Sequence, residues 1–107
     1  MSSYFFIASE DPYESRSAER FLTRAQELAR SNDVFVFLVQ NAVLPAKKNA
    51  DSEALEKLSA LGVPLLADSF SLQERGIPDE QVKSEVTVTN LDVVLDHLVA
   101  GAKVIWH

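Results

Sequence analysis

The side chains able to do chemistry in this chain are carboxylates, amides, hydroxyls and two histidines; there is no cysteine. Glu10 and Asp11 are adjacent, Gln40 is followed by Asn41, and Asp68 by Ser69. Carboxylates gathered at one point could hold a hard cation through oxygen ligands. The missing thiols exclude a disulfide framework, a thiolate zinc site, a thiol nucleophile and a persulfide on this chain. The histidines form no motif. The positions four residues before and after His97 are Val93 and Gly101, neither a ligand, so His97 reads as solvated or locally hydrogen-bonded. His107 is expected to be mobile. No metal site follows from the spacing, and no cofactor is specified.

These groups must be positioned by regular elements. Tyr4 to Ala8, Val34 to Val39 and Val63 to Ala67 are short unbroken apolar runs, and Val86 to Thr89 and Lys103 to Trp106 are shorter candidates. Continuous rather than alternating apolar runs predict strands buried on both faces, the pattern of parallel sheets. Between them lie amphipathic stretches. From Glu14 to Arg30, Ala18, Phe21, Leu22, Ala25, Leu28 and Ala29 fall three and four apart. Ser52 to Leu61 repeats the pattern, with Asp51 or Ser52 as N-cap and Gly62 as stop. Phe70 to Arg75 predicts one or two turns closed by Gly76. Asn90 to Ala100 carries Leu91, Val94, Leu95, Leu98 and Val99, with Asn90 as N-cap. Asp11 is expected to cap the first helix, with Pro12 opening it. Asn41 to Ala50 and Gly76 to Glu85 read as loops. The alternation predicts a three-layer α/β/α sandwich with a mostly parallel sheet of about five strands, a single domain over residues 1–107.

Open α/β sheets bind ligands beyond the carboxyl ends of their strands. That edge collects Glu10, Asp11 and Tyr13 after strand one, Gln40 and Asn41 after strand two, and Asp68 and Ser69 after strand three. These are the candidate ligand-binding crevice. The same residue types are also ordinary turn and capping residues.

Composition narrows the partners. Sixteen acids against ten bases give a formal charge of -6, and Lys47-Lys48 is the only adjacent basic pair. Nucleic-acid binding, which needs clustered Lys and Arg, is not expected. No apolar run approaches the roughly 18–20 residues of a membrane span, and the N-terminal sequence does not read as a signal peptide, so a cytoplasmic location is expected.

Two alternatives use the same edge. A receiver-like domain places an acidic pair after strand one, a phospho-accepting Asp after strand three and a Thr or Ser after strand four. Glu10-Asp11, Asp68 and Thr87 or Thr89 resemble that set, with Asp68 accepting phosphate in a Mg²⁺-dependent step. Lys103 breaks the pattern, because it opens the last strand instead of closing it. A flavodoxin-like or nucleotide-binding domain is the other alternative. Neither GxGxxG nor GxxxxGK[ST] occurs, and the first βα turn has no glycine.

A different resemblance covers nearly the whole chain. Glu10-Asp11-Pro12-Tyr13 leads into a long helix, Val39-Gln40-Asn41-Ala42-Val43 follows strand two, and Leu72-Gln73-Glu74-Arg75-Gly76-Ile77 follows strand three. These segments resemble the D-P-Y-like, Q-D-G-V-like and A-R-G-[IL]-like motifs of the DsrE/DsrF/DsrH family of small sulfur-relay proteins. The C-terminal half, ending at Trp106, is most similar to the DsrH (TusB-like) branch. The resemblance implies a small cytoplasmic α/β/α subunit that assembles with itself or with paralogous DsrE/F/H-type subunits, Trp106 being a candidate contact anchor. In the DsrE branch a persulfide-carrying cysteine ends strand three; the corresponding position here is Asp68, which cannot carry one. The implied function is a non-catalytic, oligomerising binding or assembly module associated with sulfur metabolism.

Overall fold

The computed structural model describes residues 2–107. Strand β1 (Ser3–Ala8) leads through helix α1 (Arg16–Ala29) to β2 (Asp33–Leu38). A 3-10 helix (Gln40–Ala46) and α2 (Glu53–Ala60) precede β3 (Leu65–Asp68), and α3 (Ser69–Glu74) follows it directly. A 3-10 turn (Asp79–Gln81), β4 (Val86–Thr89), α4 (Asp92–Val99) and β5 (Lys103–Trp106) complete the order. The sheet runs β4-β3-β2-β1-β5 and every strand pair is parallel. Phe5 thus lies between Phe35 on one side and Val104 on the other.

This order decides where the helices go. The connections from β1 to β4 all step the same way across the sheet. Right-handed crossovers therefore place α1, α2 and α3 on one face. The return from β4 to β5 runs the other way and places α4 on the opposite face. The core divides accordingly, because successive strand residues point to opposite faces. Phe6, Ala8, Val36, Leu38, Leu65 and Ala67 pack against Leu22 and Ala25 of α1, Leu55 and Leu58 of α2 and Leu72 of α3. Phe5, Ile7 and Phe37 turn the other way and meet Val94 of α4.

The three layers are therefore unequal. Five strands at about 4.8 Å spacing span about 19 Å, whereas a helix is about 10 Å across. Alone on its face, α4 shields about half of it. Phe35, Val39 and Leu66 on that face are only partly buried.

Four local expectations are corrected. Helix α1 is capped by Ser15, whose hydroxyl accepts from the Ala18 amide at 3.1 Å. Asp11 instead closes the preceding turn, its Oδ1 accepting from the Tyr13 amide at 2.9 Å, so Pro12 lies outside the helix. The segment from Asn41 is not a loose loop, because Ala42, Val43, Pro45 and Ala46 are buried; apolar side chains spaced to suit a 3-10 turn hold it on the core. The second expected loop is also tied down, through the Lys47–Val82 bridge and burial of Ile77 and Val82. His107 is held, not mobile. Its amide donates to the Ile7 carbonyl at 3.0 Å, its carbonyl accepts from Ser9, and its ring stacks on Phe21 at 5.2 Å.

Candidate functional site

Asp68 stands at the C-terminal end of β3 and caps α3, its Oδ2 accepting from the Ser71 amide at 3.0 Å. The Ser71 hydroxyl donates to the same oxygen at 2.7 Å and in turn accepts from the Gln40 amide at 2.9 Å. One carboxylate oxygen thereby ties the end of β3 to the turn after β2. The tie holds Gln40 at φ 51, the only non-glycine residue with positive φ among the described residues. That backbone conformation costs a residue with a Cβ about 1–2 kcal/mol, so a fixed partner is needed to keep it.

Arg75 secures the other end of α3. Its Nη1 donates to the Ser71 carbonyl at 3.2 Å and its Nε to Asn41 Oδ1 at 3.1 Å. Gly76, at φ 65, turns the chain so that the Ile77 amide donates to the Leu72 carbonyl at 3.0 Å. Leu72 and Ile77 are both buried. This is the Schellman arrangement with its usual apolar contact.

Beside Asp68 the strand ends enclose a groove of about 260 Å³ on the α4 face. Ile7, Phe37 and Val94 form apolar lining, with Phe70, Leu91 and Trp106. The last three are exposed, at 63%, 62% and 66%. The polar lining comes from Gln40, Asp68, Ser71 and Glu74.

Only two of the expected crevice residues share this groove. Gln40 and Asp68 line it, and Asn41 is engaged by Arg75. Glu10 Oε1 lies 3.5 Å from His107 Nδ1. Asp11 is occupied in its own turn. Tyr13 lines a separate open cleft with Glu19, Asp51 and Glu53. Glu53 there is paired with Lys57 at 2.8 Å; the hydrogen bond and charge of Lys57 hold the Glu53 carboxyl below its ordinary range and raise Lys57 in turn. Ser69 opens α3 without lining the groove. Sequence reasoning missed Phe70, Ser71, Glu74 and Leu91. The available signal was Phe70 itself, a large aromatic directly after the Asp68-Ser69 turn.

The geometry disfavours phosphoryl acceptance at Asp68. Among the described residues no three His, Cys, Asp or Glu side chains converge on a metal-sized site. Lys103 pairs with Tyr4 near the start of β1, the far edge from Asp68. The strand order also departs from the flavodoxin-like order 2-1-3-4-5. His97 is structural: its Nδ1 lies 2.9 Å from the Val93 carbonyl, and its ring packs 4.5 Å from Phe5 and 4.6 Å from Phe35.

Comparison with known proteins agrees with this architecture. The family model described as DsrE/DsrF-like matches residues 2–106. The chain belongs to the DsrE/DsrF-like family. The ychN protein from E. coli has a similar crystal structure, with a TM-score of 0.85, 25% identity and full coverage of both chains. MTH1491 from Methanobacterium thermoautotrophicum, a protein of unknown function, superposes with a TM-score of 0.85 at 18% identity over all of both chains. BT1422 from Bacteroides thetaiotaomicron shares the fold with a TM-score of 0.78 at 13% identity, covering 99% of this chain and 95% of that one. No curated protein matches the sequence. In this DsrE/DsrF-like chain the end of β3 carries a capping carboxylate and the whole sequence has no thiol. Among the described residues no helix is long and apolar enough to cross a membrane.

Proposed function

We propose that this DsrE/DsrF-like chain works as a non-catalytic assembly module. It packs with copies of itself or with paralogous DsrE/F/H-type subunits in the cytoplasm, and serves sulfur metabolism without carrying persulfide. The observation that carries this reading is the outer surface of α4. Leu91, Leu95, Leu98 and Val99 recur at spacings of three and four, and they are 62%, 55%, 51% and 89% exposed. The inner surface of the same helix is apolar as well, through Val93 and Val94. A helix apolar on both sides is normally buried on both sides. Exposed apolar surface of this kind marks an interaction face, and it adjoins the half of the sheet that α4 leaves unshielded.

Light scattering on the chain eluting from a sizing column tests the assembly. The expected mass is a multiple of 11.9 kDa that falls on dilution toward the single-chain value. A mass of 11.9 kDa at high micromolar concentration removes the self-assembly arm of the reading; if it persists when a paralogous subunit is added, the remaining arm falls too.

A further inference from the structure

We propose that the groove at the ends of β1, β2 and β3 binds a small organic cation: a primary or quaternary ammonium carrying an aromatic or apolar body. The inference goes beyond assembly and shares only Leu91 with the α4 stripe, since Leu95, Leu98 and Val99 do not line the groove. Its shape argues for a small ligand. At about 260 Å³ it lies below the roughly 300–1,000 Å³ of drug-sized pockets, which suits one ring and a short chain.

The lining decides the charge. The ionisable side chains that line the groove, Asp68 and Glu74, are both carboxylates, and no Lys, Arg or His lines it. Arg75 lies next in sequence but is drawn off to Asn41 and the Ser71 carbonyl. Its guanidinium also sits 3.7 Å from Glu74, partly balancing that charge. Asp68 has no ion-pair partner among the described residues. Both of its hydrogen bonds fall on Oδ2, leaving Oδ1 without a donor among the described residues. A positive ligand supplies what that oxygen lacks; a negative one would meet it unfavourably.

The rings supply the second half of the recognition. Phe37 lines the groove from the buried sheet, and Phe70 and Trp106 stand exposed at it. Aromatic faces attract ammonium groups, tryptophan most strongly, and a carboxylate beside them strengthens the preference. The apolar side chains Ile7, Leu91 and Val94 then take the body of the ligand.

Trp106 is the only tryptophan, so its emission reads this groove alone. The probe is phenethylammonium, with phenylpropionate as the ring of opposite charge, titrated against the full chain. We expect a saturable change in Trp106 emission with the cation and none with the anion. Asp68→Asn keeps an oxygen to cap α3 while removing the charge, and is expected to weaken binding about tenfold. Phe70→Leu alters an exposed ring that the core does not need and is expected to weaken it about threefold. No saturation in the millimolar range, equal response to both probes, or unchanged binding in both variants overturns the proposal. Mass by scattering on the same samples reads assembly separately, so failure of one reading is distinct from failure of the other.

Discussion

Leu95→Asp is expected to convert the assembled protein to single chains while leaving its fold intact. Leu95 lies mid-stripe on α4, 55% exposed, with Leu91 one turn before it and Val99 one turn after. Full burial of a leucine contributes about 1.5–3 kcal/mol. Placing a carboxylate in a desolvated contact adds a penalty of several kcal/mol. Together these raise the dissociation constant at least about a hundredfold. The fold has little reason to respond, because the side chain already faces solvent within one subunit and Val94 keeps the inner contact. Scattering mass and far-ultraviolet circular dichroism on the same sample check both halves. An unchanged mass would place the contact elsewhere.

The second large effect is on stability. Asp68→Ala removes the α3 cap, worth about 0.5–2 kcal/mol. It also leaves the Ser71 hydroxyl, 3% exposed, without an acceptor, at about 1–3 kcal/mol. The tie that holds Gln40 at positive φ loosens with it. A loss of about 2–3 kcal/mol lowers the melting temperature of a domain this size by about 10 °C or more. Asp68→Asn retains an acceptor oxygen and is expected to lose less than half as much. Urea unfolding of the two variants decides it, and equal stabilities would show that Asp68 does not organise the turn.

The assembly expectation and the Asp68 result have a common root. The carboxylate at the end of β3 serves architecture: it binds α3 to β3 and, through Ser71, to the turn after β2. The chain has no thiol, and it presents one apolar flank on α4 and a groove with two carboxylates in its lining.

Much of this was legible in the sequence for physical reasons. Unbroken runs such as Val34 to Val39 mark strands covered by packing, and β1, β2 and β3 form in parallel where such runs occur. The α1 and α2 stripes were readable because each helix has one wet side. Other features carry no local signal. The Gln40–Ser71 bond joins residues 31 apart and depends on β2 and β3 being neighbours. The 3-10 helix after β2 is invisible to a 3.6-residue period. In α4 the apolar residues were visible, but their division was not. Leu91, Leu95, Leu98 and Val99 read as part of one buried stripe, whereas α4 sits alone on its face and can bury only one side. Strand order, not periodicity, makes that decision. The expected crevice residues are mostly carboxylates, amides and a hydroxyl, whereas the groove is largely apolar because rings from β2, α3 and β5 converge there.

The absence of cysteine allows the central claim to be tested at a single atom. Leu98→Cys places a lone thiol on the outer stripe of α4, and Glu56→Cys places one on exposed α2 as control. Alkylation rates are measured under reducing conditions at low and high protein concentration. If the α4 face is covered in the assembled protein, the thiol at position 98 reacts more slowly as concentration rises, while the thiol at position 56 does not change. A rate at position 98 that is independent of concentration, and equal to that of the control, would contradict assembly through this face.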